Sequence, residues 1–207
     1  MNIVSFETVG KRHFILLAAT AILFCAGSMP ALMAQSYQGL EAVKLVDVVS
    51  EDSISLDPES SGPLVVVIFT SNFCPYSRKY EDRIKELHNT YSPQEIDFLL
   101  VNPNDTPDDS VEEMQKKAQS TGYDFPYLKD HDQVLKNIMG ASRTPEAYLL
   151  RPVPNGFELV YQGAIDDNPQ TAQDVEFQYL KSAIDRSLNG QPPEQAKVKV
   201  TGCIIKR

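Results

Sequence analysis

The chain is poor in sulfur, and what is missing narrows its chemistry. Three cysteines occur among 207 residues, and no two of them form a Cys-x-x-Cys pair. No group of cysteines and histidines has the spacing of a zinc site. The acidic residues Asp105, Asp108 and Asp109 lack the ligand spacing of an EF-hand loop, so capping and solvation explain them and no metal or other cofactor is expected. There is no internal repeat, no low-complexity segment and no sign of a second domain. Membrane-length apolar runs are also missing. The uncharged stretch "FILLAATAILFCAG" has 14 residues and would span only ~21 Å as a helix, against a hydrocarbon core of ~30 Å.

That stretch has another use. Lys11 and Arg12 precede it, Pro30 follows, and "ALMA" ends on the small residue Ala34. This is the order of a secretory signal peptide, and it predicts export to a periplasm or the exterior with cleavage near Ala34. The uncharged stretch continues to Ala34, so an uncleaved membrane anchor at 1–34 is the alternative. Phe24 directly before Cys25 argues against a lipoprotein site. Without Lys11, Arg12 and Glu7, the 19 basic and 28 acidic residues become 17 and 27, a net charge of −10. No basic stretch is left to follow a phosphate backbone, which argues against nucleic acid as a partner. Cys25 leaves with the signal. Cys74 and Cys203 remain, enough for one disulfide in an oxidising compartment.

Residues 35–207 read as an α/β domain. "AVKLVDVV" is an N-terminal strand extension, and the valine-rich "PLVVVIFT" (63–70) has the continuous apolar character of a strand buried on both faces. Tyr80, Ile84, Leu87 and Tyr91 form one apolar stripe at helical period. "EIDFLLVN" (95–102) returns as a strand, giving a strand–helix–strand unit of parallel type. Residues 103–140 are expected to be a helical insert, with Ser110 and Glu113 at capping-box spacing and a second helix in "DQVLKNIM" stopped by Gly140. "EAYLLRP" and "FELVYQG" flank the turn signal "VPNG" and predict a hairpin. A last helix carries Phe177, Leu180, Ile184 and Leu188 and ends at Asn189-Gly190. The tail "AKVKVTGCIIKR" is expected to add a short strand. This is the order of a thioredoxin-like fold, a central mixed sheet flanked by helices.

Cys74 stands where the apolar strand gives way to the first helix, with Pro75 suited to the first helical position. Its sulfur is thus placed beside orphan N–H donors and the positive end of the helix dipole, which favours thiolate over thiol. Arg78, one turn on, is either a further positive charge for that sulfur or a solvated surface residue. The plain alternative for Cys74 itself is a small buried hydrophobe. His88 is fourteen residues down the chain, ~21 Å along a helix, and cannot act as its base. It reads as a cation at the helix C-terminus.

"FTSNFCPYSRKY", "VNPNDTPDDSVEEM", "YDFPYLKD", "GASRTPEAYLL", "LVYQGAIDDN" and "GCIIKR", in that order, resemble the peroxiredoxin-like, redoxin-type (alkyl hydroperoxide reductase and thiol-specific antioxidant) branch of the thioredoxin superfamily. The resemblance covers nearly all of residues 40–207. It implies a thioredoxin fold, Cys74 as the reactive cysteine, and a cis proline at Pro145 whose preceding residue, Thr144, pairs with the chain of a substrate. Thr144, Pro145, Pro75 and Arg78 are then the expected groove residues. The implied partners are peroxide or protein thiols and disulfides, with an external reductant.

Departures accompany it. Ser77 fills the last place of Cys74-Pro75-Tyr76-Ser77, and Ser71 stands where relatives often carry a further cysteine. The threonine that peroxiredoxins keep three residues before their cysteine is absent, since Thr70 is four before. Cys203 is either the second thiol that a sulfenic acid or mixed disulfide needs, or a tail cysteine that packs passively or pairs between chains. The function expected is an exported thiol-dependent oxidoreductase. The alternative is a binding module that kept the groove and lost turnover.

Overall fold

The computed structural model describes residues 35–207; the expected signal peptide or anchor at 1–34 lies outside the described residues. Strands β1 (Ser36–Tyr37), β2 (Leu45–Asp47) and β3 (Ser53–Ile54) precede β4 (Val65–Phe69), helix α1 (Pro75–Tyr91) and β5 (Asp97–Asn102). Helix α2 (Val111–Thr121), β6 (Tyr127–Lys129) and α3 (Val134–Met139) follow, then β7 (Arg143–Thr144), β8 (Glu146–Val153), β9 (Gly156–Gly163), α4 (Tyr179–Leu188) and β10 (Cys203–Ile204). Eight strands form one mixed sheet in the order β1-β9-β8-β4-β5-β6-β2-β3. β4, β5 and β6 are parallel to one another, and β8 runs antiparallel to β4.

The valine-rich strand does what its composition requires. Val66 and Ile68 face one core with Tyr80, Ile84 and Tyr91 of α1, Met114 of α2 and Leu180 of α4. Val65, Val67 and Phe69 face a second core with Leu135 and Met139 of α3. All five residues of β4 are buried, so neither face of the strand offers a polar position. The hairpin also forms where expected. Val153 pairs with Gly156 across Pro154-Asn155, and Asn155 takes a left-handed φ of 68°, a conformation that asparagine tolerates.

Two details differ from the sequence expectation. The 103–140 segment holds the two expected helices, but between them β6 joins the sheet parallel to β5. The segment is therefore not wholly an insert. Phe177 precedes α4 instead of lying on it; it is exposed, with its ring stacked on Tyr179. The tail adds the expected short strand, β10, which pairs with β7 in a separate two-stranded sheet. Among the described residues, no helix is long and apolar enough to cross a membrane.

Candidate active site

Cys74 is the N-cap of α1 and Pro75 its first residue. The helix begins here because β4 ends at Phe69, where Thr70 N–H still bonds the Val101 carbonyl, and Cys74 N–H then turns back to the Ser71 carbonyl. Cys74 accepts the first helical bond, from Arg78 N–H to its own carbonyl at 3.2 Å. Its side chain makes no cap bond, because the sulfur is committed elsewhere. Cys74 and Cys203 are joined in a disulfide with Cα atoms 5.9 Å apart. The tail does fold back.

The second wall is the loop before β8. The Thr144–Pro145 peptide is cis, Pro145 is buried, and the Thr144 carbonyl oxygen lies 3.2 Å from Cys74 Sγ. Cys203 pairs with Thr144 and Ile204 with Arg143 in an antiparallel ladder. The tail thus lies as an added strand along the backbone edge that the family resemblance implies is used by a substrate chain. Cys74 is wholly buried, while Cys203 is half-buried, so Cys203 is the more exposed residue of the pair.

Two buried carboxylates brace the two loops. Asp109 accepts from Ser71 Oγ at 3.0 Å, Asn72 N–H at 2.7 Å, Asn102 Nδ2 at 2.8 Å and Thr106 Oγ1 at 2.6 Å. Tyr127 closes the circuit: its hydroxyl accepts from Asn102 Nδ2 and donates to Asn72 Oδ1. Burial and, to a lesser degree, the nearby Asp109 hold that phenol well above its ordinary value. Lys129 donates to the Asn104 and Asp109 carbonyl oxygens, and burial pulls its ammonium below the usual lysine value. On the other side, Glu146 accepts from Ser142 N–H, Arg143 N–H, Tyr148 Oη and Gln162 Nε2. Burial, with Glu146 close by, raises the Tyr37 phenol to about 12.

The predicted residues are therefore partly gathered. Cys74, Cys203, Thr144 and Pro145 meet. Pro75 is exposed on the turn beside them. Arg78 is exposed on the outer side of that turn and lines a surface hollow with Phe73, Asp108 and Lys116. Asp105 and Asp108 are solvated as expected, whereas Asp109 is fully buried; solvation does not explain it. Asp166 is also buried and receives Tyr80 Oη at 2.7 Å and Arg83 at 2.6 Å. His88 sits near the C-terminus of α1, 3.3 Å from Asp124 and packed on Phe125. Ser77 Oγ and Thr144 Oγ1 are buried without a hydrogen-bond partner among the described residues. Among the same residues no cluster of three His, Cys, Asp or Glu side chains suits a metal ion.

A cysteine capping the first helix opposite a cis-proline loop on this mixed sheet defines a thioredoxin-like protein of the redoxin type. Within that class the chain belongs to the AhpC/TSA family, which matches residues 38–166. Among solved structures it is similar to an uncharacterized conserved protein from Geobacillus kaustophilus, at 31% identity over 84% of this chain and 96% of that one, with a TM-score of 0.72. A hypothetical protein from Sinorhizobium meliloti is alike at 30% identity, 84% and 97% coverage and a TM-score of 0.71. The bacterioferritin comigratory protein of Xanthomonas campestris, described for alkyl peroxide reduction, shares the fold at 17% identity, covering 63% of this chain and 85% of that one at a TM-score of 0.51. No curated protein sequence matches the chain significantly.

Proposed function

We propose that the chain is an exported thiol-dependent oxidoreductase that exchanges disulfides with polypeptide partners, with Cys74 as nucleophile and Cys203 as the in-chain resolving thiol. The observation that carries this reading is the tail strand. The groove beside Cys74 holds an extended cysteinyl segment, paired to Arg143-Thr144 and bonded through sulfur. A thiolate at Cys74 attacks one sulfur of a partner disulfide, forming a mixed disulfide and expelling the partner's other sulfur as thiolate. Cys203 then attacks Cys74 Sγ and releases the reduced partner, leaving the Cys74–Cys203 bond. An external dithiol restores the start. Its thiolate attacks the sulfur of Cys203, the more exposed residue of the pair, Cys74 departs as a thiolate favoured by the helix N-terminus, and the donor's second thiol frees Cys203 as the donor becomes a disulfide.

A second reading, peroxide reduction, is favoured by the AhpC/TSA match. There the Cys74 thiolate takes the terminal oxygen of a hydroperoxide, releasing the alcohol and becoming a sulfenic acid; Cys203 condenses with it and water leaves. Export rests on the order of charge, apolar run and small residues at 1–34, and N-terminal sequencing of the mature protein tests it.

One experiment addresses both chemistries. Reduced protein is mixed with one equivalent of hydrogen peroxide or of a peptide disulfide, and intact mass follows the loss of two hydrogens. Faster closure by the peptide supports exchange, and faster closure by peroxide supports the second reading. If neither reagent acts faster on Cys74 than on an unperturbed thiol of pKa ~8.5, turnover is excluded. A binding module then stands, with partner capture surviving Cys74→Ser.

A further inference from the structure

The tail reports more than the groove's existence, because every residue from Gly202 to Lys206 is held differently. A Cβ on Gly202 would run into the Thr144 carbonyl and crowd Pro145 N, and the Gly202 carbonyl accepts from Arg143 Nη1 at 2.9 Å. Cys203 lies across from Thr144. Ile204 points outward and is 68% exposed. Ile205 N–H bonds the Ser142 carbonyl, and its side chain packs on the second core. Lys206 is clamped by its backbone: its N–H donates to Asn104 Oδ1 at 2.6 Å and its carbonyl accepts from Gln133 Nε2 at 2.8 Å. Its ammonium rests 4.2 Å from the centre of the Phe73 ring. Asn104 and Gln133 are both buried, and Gln133 holds a left-handed φ of 55° while also donating to the Pro103 carbonyl. This is a shaped receptor for a chain segment, remote from the sulfur chemistry itself.

We infer that the tail is a resident copy of the partner segment, and that the groove selects extended peptides of the pattern Gly-Cys-x-apolar-cation. Asn104 and Gln133 hold the backbone of the position three residues after the cysteine, and Phe73 reads its cation. Thr144 enforces glycine before it. The outward position is free to vary. The tail and a partner segment compete for one groove, so a partner enters only after the Cys74–Cys203 bond has opened.

This inference rests on the exchange reading above, and its test separates the two. The full chain carrying Cys203→Ser is reduced and mixed with the peptide TGCIIKR, its cysteine blocked as a mixed disulfide with 5-thio-2-nitrobenzoate. Cys74 thiolate attacks the peptide sulfur; one S–S bond breaks, one forms, and the electron pair leaves on the coloured thionitrobenzoate, which is followed by absorbance. The peptide with alanine before the cysteine should react about tenfold more slowly, since its methyl group has no room. Glutamate in place of lysine should slow the reaction ~2- to 5-fold through the lost ring contact. Serine at the outward isoleucine should leave the rate unchanged. Equal rates for all four peptides, with rapid reaction of the small symmetrical disulfide of the same thiol, overturn the selectivity and leave the exchange reading intact. Slow reaction with that small disulfide as well overturns both.

Discussion

Asp109→Ala should be among the most damaging substitutions outside the sulfur pair. The wild-type carboxylate is fully buried and collects four donor groups, Ser71 Oγ, Asn72 N–H, Asn102 Nδ2 and Thr106 Oγ1. Alanine leaves all four facing a void. Each unmet buried donor costs about 1–3 kcal/mol, reduced by relaxation and by admitted water. The donors belong to one network and their losses do not add, so the expected destabilisation is about 3–5 kcal/mol. Asp109→Asn keeps one oxygen for Asn72 N–H and Asn102 Nδ2, while the serine and threonine hydroxyls turn to accept; about 1–2 kcal/mol is expected. Asp108→Ala, one residue away and exposed, should change stability by less than ~0.5 kcal/mol. Urea unfolding of the oxidised proteins with linear extrapolation measures all three. A loss below ~1 kcal/mol for Asp109→Ala, or one matching Asp108→Ala, would refute the view that this carboxylate ties the Cys74 loop to β5 and the turn before α2.

Other outcomes follow from the same structure. Tyr37, Tyr80, Tyr91, Tyr127, Tyr148 and Tyr161 are buried, and burial raises each phenol above its free value of 10. A phenol kept neutral by the fold contributes fully below pH 10 and loses that contribution as pH rises toward its folded value. Six such groups give a slope of up to about 8 kcal/mol per pH unit, so the phenolate absorbance of these six should appear together with unfolding within ~1–2 units above pH 10; phenolate absorbance from all nine tyrosines in still-folded protein would contradict this. Ser77→Ala removes a buried hydroxyl that has no partner among the described residues, and the oxidised protein should be unchanged or stabilised by about 1 kcal/mol, a rise of up to ~4 °C in melting temperature. A clear fall would show that the hydroxyl is bonded. Glu146→Ala frees the N–H groups of Ser142 and Arg143 and should cost about 2–4 kcal/mol in urea unfolding; a neutral result would remove Glu146 as a brace of the Pro145 loop.

Features that live in local pattern were legible in the sequence. β4 announced itself because five consecutive apolar residues leave no polar face, and the start of α1 because cysteine, proline and an apolar stripe fall in helical register. The hairpin turn was legible through Asn155-Gly156. β6 was not, since Tyr127–Lys129 has too few residues to show alternation, and its two neighbouring helices coloured the reading of the whole segment. The burial of Asp109 was hidden for a different reason. Three of its four donors come from Ser71, Asn72 and Asn102, beyond or at the ends of β4 and β5, and only Thr106 lies on its own turn, so little near it in sequence distinguishes it from solvated Asp108. The tail's destination depended likewise on a pairing across 129 positions, and Ser142, Asn104 and Gln133 became visible as its receptor only in three dimensions.

The Cys74–Cys203 bond also makes a covalent circle of the chain between those two residues. β1 to β4 all precede Cys74 and stay outside that circle, tied to it through the pairing of β1 with β9, β2 with β6 and β4 with β5 and β8 and through the shared core. A protease that cuts once in the exposed stretch 189–196 therefore produces two pieces that travel together on a denaturing gel while the bond is closed and part once it opens. The circle turns a single nick into a direct record of which redox state the molecule occupied when it was denatured.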